Sequence, residues 1–142
     1  MSLVTSQLSQ YNRTAILSAG PAQLLTMLYD RLLLDLERAE FAQRDSDWEA
    51  ASHQLLHAQA IIAELQSSLK VDDWDGGPGL YALYTYVSSA MIRSNVHRNV
   101  YLTTECIALL EPLRVAWTEA AAQASTFAAT AASTGTGGWG VG

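Results

Sequence analysis

A chain of 142 residues is long enough to bury one continuous core and short for two independently folding domains. Hydrophobic residues make up 49% and charged residues only 15%, which is more apolar surface than one small core needs. Fourteen Asp and Glu against eight Lys and Arg give a net charge of -6, so a phosphate backbone is repelled on average and nucleic-acid binding is excluded as a first reading.

In chain order, residues 1–20 form a polar leader that carries Leu3, Leu8, Tyr11, Ile16 and Leu17. Gly20-Pro21 opens the first helix, because proline at the first helical position loses no needed N–H and presets φ. Two apolar stripes follow up to Phe41: Leu25, Leu28, Leu32, Leu36 and Ala39 on one side, Leu24, Met27, Leu34 and Phe41 on another. A helix apolar on two faces has two neighbours, or one neighbour and a guest.

Asp45, Ser46 and Asp47 supply capping acceptors for a second helix over about Trp48 to Leu69, whose stripe is Leu55, Ala58, Ile62, Leu65 and Leu69, widened by Leu56 and Ile61. Lys70 to Gly79, with three aspartates, three glycines and Pro78, reads as a turn. The third helix is expected from Leu80 to about Val96, with Leu80, Leu83, Val87, Met91 and Ser94 on one face. Asn99 is a suitable N-cap for the fourth, where Leu102, Cys106, Leu109, Leu113, Ala116, Ala120 and Ala124 recur at spacings of three and four. Pro112 inside that run predicts a kink or a local adjustment. Ala120 to Ala132 is expected to fray for want of large anchoring side chains, and the glycine-rich end to be flexible. The pattern predicts an all-α fold, an antiparallel up-down four-helix bundle over 21–126, with a leader cap at 1–20 and a flexible Ala/Thr/Gly-rich tail at 127–142.

Cys106 is the only cysteine, which excludes an intramolecular disulfide and a multi-cysteine zinc site and fits a reducing compartment. Asp30, Asp35, Glu64, Arg93 and Glu105 interrupt every apolar run, and no basic region followed by an apolar stretch opens the chain. A soluble, cytoplasmic protein with no membrane insertion is expected. His53 and His57 share a helix face at a spacing of four, the arrangement of two metal ligands, and define one alternative: a metal-dependent helical enzyme using nearby carboxylates. Neither HExxH nor Glu-x-x-His accompanies them, and the pair reads better as rim histidines. Asp72, Asp73 and Asp75 lack the glycine and the distal glutamate of a calcium loop, and Gly76 to Gly79 lacks the lysine of a phosphate loop. On its stripe Cys106 reads as a small buried hydrophobe. Tyr81, Tyr84, Tyr86 and Tyr101 cannot all face one core. With no catalytic constellation and surplus apolar helix faces, the residues point to a helical interaction module that accepts an amphipathic helix, without metal, cofactor or enzymatic activity.

An ordered set of short motifs goes further. Tyr11-Asn12-Arg13-Thr14-Ala15-Ile16, Ser18-Ala19-Gly20-Pro21 and Gln23-Leu24-Leu25-Thr26-Met27-Leu28-Tyr29-Asp30 are followed by Ala58 to Leu65, Gly76-Gly77, Leu80 to Tyr86, Ile92-Arg93-Ser94-Asn95 and Leu109 to Trp117. Together this series resembles the flagellin export chaperones, the FliS family, over about Gln7 to Glu119. The resemblance implies a cytoplasmic chaperone that binds the C-terminal helical segment of flagellin, prevents premature polymerisation and assists flagellar type III export. Ile61, Leu65, Leu83, Tyr84 and Met91 are the residues expected to line or border the groove. Leu8, Tyr11 and Ile16 would cap it and meet a component of the export gate, with a homodimer left open as an assembly. Departures from the family pattern are Arg31 where a glycine usually stands, Thr85 between Tyr84 and Tyr86, and Pro78-Gly79 at the third helix start.

Overall fold

The computed structural model describes residues 20–141, with side chains described for 20–131. Four helices account for nearly all of this: α1 (Pro21–Arg44), α2 (Trp48–Ser68), α3 (Gly77–His97) and α4 (Val100–Val141), with a 3-10 turn at Val71–Asp73 between α2 and α3. No strand occurs among the described residues. Two compact units are distinguished, Leu28–Ala116 and one formed by the two chain ends, of which residues 20–27 and 117–141 are described.

Within Leu28–Ala116 the cross-helix bonds fix the topology. Asp35 on α1 meets His57 on α2. Ser52 with Asn95 and Gln66 with Thr85 run α2 against α3. Ser94 with Thr103 and Val87 with Cys106 run α3 against α4. Gln43 with Thr103 and Asp30 with Arg114 then run α4 against α1. Consecutive helices are antiparallel and the fourth returns to the first, the up-down bundle that the sequence predicts. Its core includes Tyr29, Leu32, Leu36, Ala39, Leu55, Ala58, Ile62, Val87, Met91, Cys106 and Leu110.

Local signals explain most boundaries. Asp47 Oδ1 accepts from the Ala50 N–H at 3.2 Å and starts α2. Asn99 Oδ1 accepts from the Tyr101 N–H at 3.0 Å and starts α4. Between α1 and α2, Ser46 adopts φ 58, and Arg98 closes α3 with φ 53, two left-handed positions held by residues other than glycine. The start of α3 departs from expectation: the helix begins at Gly77, with Pro78 in its first positions, rather than at Leu80. Gly77 packs so tightly on the 3-10 turn that a Cβ there would lie 2.1 Å from the Val71 carbonyl oxygen. Pro112 lies inside α4 without ending it, and the helix carries on through the alanine-rich stretch to Val141. Leader residues 1–19 lie outside the described residues.

Candidate functional site

The five residues expected to line a groove lie on α2 and α3, and the bundle takes four of them inward. Ile61, Leu65, Tyr84 and Met91 are buried in the core; Leu83 is half-buried. Tyr84 shares a 2.6 Å hydroxyl–hydroxyl hydrogen bond with Tyr29, and burial followed by that bond pushes its ionisation well above the ordinary tyrosine range. An apolar residue at three- and four-residue spacing serves a core and a groove equally well, which is why spacing alone did not separate them. Leu8, Tyr11 and Ile16 lie outside the described residues.

Two further buried polar arrangements tie the helices together from within. Asp35, fully buried on α1, is bonded to His57 Nδ1 of α2 and accepts from Arg31 Nε at 3.0 Å. At the other end of α1, the Gln43 amide donates to Ser94 Oγ at 2.9 Å while Thr103 donates to Gln43 Oε1 at 2.7 Å. Ser94 Oγ also lies 2.6 Å from the Asn99 carbonyl, so one small network joins α1, α3 and α4. Every polar atom named here has a partner, as burial demands.

Outside, two seams stand out. On the outer seam of α2 and α3, the Ser52–Asn95 and Gln66–Thr85 bonds set an antiparallel register in which Leu56 and Ile92 lie level. Both are about half exposed, at 56% and 47%, with Tyr81 and Val96 also exposed along α3. Between α1 and α4 lies a cleft of about 540 Å³, bounded by Asp30, Leu34 and Glu37 on one side and by Ile107, Glu111 and Arg114 on the other. Arg114 donates to Glu111 at 2.6 Å and reaches Asp30 at 3.4 Å, and it holds the Glu111 carboxyl below the usual carboxylate range. Tyr101 and Tyr86 are exposed as well; Tyr86 donates its hydroxyl to Glu105, and Arg93 lies 5.9 Å from its ring centroid.

The candidate chemistry of the sequence is dispersed. His53 is exposed, while His57 is turned to Asp35. Among the described residues no group of three or more His, Cys, Asp and Glu side chains is placed to hold a metal ion. Cys106 is fully buried, and that burial, with Glu105 nearby, pushes its thiol up to about 12, which removes the thiolate a nucleophile requires. No helix among the described residues is long and apolar enough to cross a membrane. The arrangement offers surfaces, and the surfaces are helical seams.

Comparison with known proteins follows the same line. Residues 4–124 match the family model described as "Flagellar protein FliS". A flagellar secretion chaperone FliS of Escherichia coli (strain K12) is 32% identical over 108 residues, 75% of this chain and 79% of that protein. The flagellar secretion chaperone FliS of Bacillus subtilis (strain 168) is 26% identical over 110 residues, 78% of this chain and 82% of that one. A solved structure titled as a flagellar chaperone from bacteria shares the fold with a TM-score of 0.67 at 18% identity, covering 84% of this chain and 98% of its own.

Proposed function

The chain belongs to the FliS family of flagellar secretion chaperones, and we propose that it binds the C-terminal helical segment of flagellin in the cytoplasm. Binding keeps that segment from polymerising prematurely and delivers flagellin to the flagellar type III export machinery, without catalysis. The bundle over 21–126 is the binding domain. The leader at 1–20 is the cap, with Leu8, Tyr11 and Ile16 as its contacts to the groove and to an export gate component, and 127–142 is the tail. A homodimer is compatible with this role.

The observation that carries the reading is the α2–α3 outer seam. Leu56 and Ile92 are large, apolar and exposed at one level, flanked by Tyr81 and Val96 on α3. An amphipathic guest helix buries its apolar face by docking on such a seam with anchors at three- and four-residue spacing. Ile61, Leu65, Tyr84 and Met91 then act from below: they are the packed floor that fixes the shape of the seam, while half-buried Leu83 sits at the edge of that floor. Part of the contact energy goes into ordering the flagellin segment, so affinity does not follow from apolar area.

Titration calorimetry with intact flagellin and with flagellin lacking its C-terminal segment tests the role: heat of binding is expected from the intact protein alone, and equal binding to both overturns it. Leu56→Glu and Ile92→Glu, both at exposed positions, are expected to weaken binding tenfold or more, about 1.4 kcal/mol. Wild-type affinity in both folded variants would remove the seam from the account while leaving the chaperone role standing.

A further inference from the structure

The outward stripe of α1 reads Asp30, Leu34, Glu37, Phe41, at steps of four, three and four, so the four side chains share one helix face. Large apolar groups alternate with carboxylates along it. Phe41 is 78% exposed and Leu34 37%, an unusual placement for two bulky hydrophobes on a helix whose other face already fills the core. Across the seam, α4 contributes Ile107 to the apolar floor and Glu111 and Arg114 to the rim of the cleft.

The charge balance of this cleft says what suits it. Three carboxylates against one guanidinium leave two negative charges in excess. The one cation is committed, with Arg114 held by Glu111 and Asp30. Glu37 makes no hydrogen bond or ion pair with the described residues, although it sits between the two exposed hydrophobes. Leu34 and Phe41 are two helical turns apart, about 10.5 Å at 1.5 Å per residue. A second copy of this chain is a poor occupant, because a two-fold axis through the cleft sets the same carboxylates against each other in a chain whose net charge is already -6.

We infer that the α1–α4 cleft, together with the exposed Phe41 that lies beyond its lining on the same α1 face, is a second docking surface, which takes a basic amphipathic helix of another protein: two apolar anchors about two turns apart, with a lysine or arginine between them to meet Glu37. The bundle order places the α1–α4 and α2–α3 seams on opposite sides of Leu28–Ala116, and the two sites have no residue in common. A chain holding its client on one seam thus keeps the other free, and this inference stands on residues that the flagellin reading does not use.

The test uses the full chain labelled with 15N and a synthetic 18-residue helical peptide, with leucines seven apart and a lysine midway on an alanine–glutamine background. Its counterpart carries glutamate for lysine. At physiological salt, the lysine peptide is expected to shift the amide signals of Leu34, Glu37 and Ile107 saturably, and the glutamate peptide to bind at least tenfold more weakly. Glu37→Lys and Phe41→Ser, checked as folded by circular dichroism, should each weaken the lysine peptide about tenfold, and Leu56→Glu should not. Shifts that fail to saturate, that centre on the α2–α3 seam, or that persist unchanged in Glu37→Lys overturn the proposal. So does a wild-type dimer in sedimentation that Phe41→Ser dissolves, since that puts a second copy in the cleft.

Discussion

The two halves of α4 are one helix by backbone and two by chemistry. From Val100 to Ala116 the helix places Thr103, Cys106 and Leu110 in the core at zero exposure, and carries the Glu111–Arg114 pair on its surface. From 117 to 131 no side chain is buried: Trp117 and Ala121 are half-covered, and Phe127 is 77% exposed. Between Ala120 and Val141 there is no charged residue at all. In the first half burial in the core selects the helix; over 117–131, where no side chain is buried, the high intrinsic propensity of alanine supports it. Helical geometry is therefore a poor guide to how strongly a stretch of this chain is held.

That contrast is open to direct attack. Leu110→Ala is expected to lower the unfolding free energy by about 2–5 kcal/mol, the usual cost of a cavity in a packed core, while Phe127→Ala changes it by less than about 0.5 kcal/mol. Comparable losses in urea denaturation would erase the distinction between the halves. Thr103→Val keeps the shape and removes the donor to Gln43 Oε1, so a buried acceptor loses its partner; a cost of about 1–3 kcal/mol is expected in the same assay. Ala128→Gly should weaken the second half by about 1 kcal/mol of local helix propensity, seen as faster amide exchange over residues 117–131, with no shift of the main unfolding midpoint. A shifted midpoint would mean that the second half is coupled to the first.

The smallest effect concerns pH. Arg114 depresses the folded-state ionisation of Glu111, so this pair contributes stability above the unfolded carboxylate value of 4.5 and loses it as pH falls through the lower folded value. Arg114→Ala should move the Glu111 carboxyl titration, followed by NMR, back up towards 4.5. A titration that stays low in the variant would reassign the cause. Because the pair is largely exposed, its effect on global stability should be slight.

Much of the bundle was legible in the residues. Pro21, Asp47 and Asn99 mark three helix starts through the backbone chemistry that each supplies. The start of α3 was harder, because Gly76-Gly77-Pro78-Gly79 has the composition of a turn. Proline in the first helical positions and a glycine pressed against the Val71 carbonyl satisfy a helix start just as well, and only the tertiary contact separates the two. The site was legible by stripe and not by residue. The second stripe of α1 holds Leu34 and Phe41, which are indeed exposed, and Leu56 was visible beside the core stripe of α2. Which of two apolar stripes faces inward depends on the rotation of each helix about its axis, and the buried polar groups set that rotation. Asp35 in particular reads as a surface charge until His57 and Arg31 are found beside it.

Asp35 also bears on how the bundle assembles. Two apolar stripes slid past each other by one turn bury nearly the same area, so hydrophobic contact alone leaves neighbouring alignments close in energy. A carboxylate inside the bundle is less forgiving: one turn of slippage between α1 and α2 takes it away from His57 and leaves Arg31 of its own helix as its remaining partner, a cost that apolar contact alone does not impose. The Gln43, Ser94 and Thr103 cluster imposes the same condition on α1, α3 and α4. These groups act as a vernier, in which coarse apolar matching brings the helices together and sparse polar marks select the one alignment that leaves the outer seams in step.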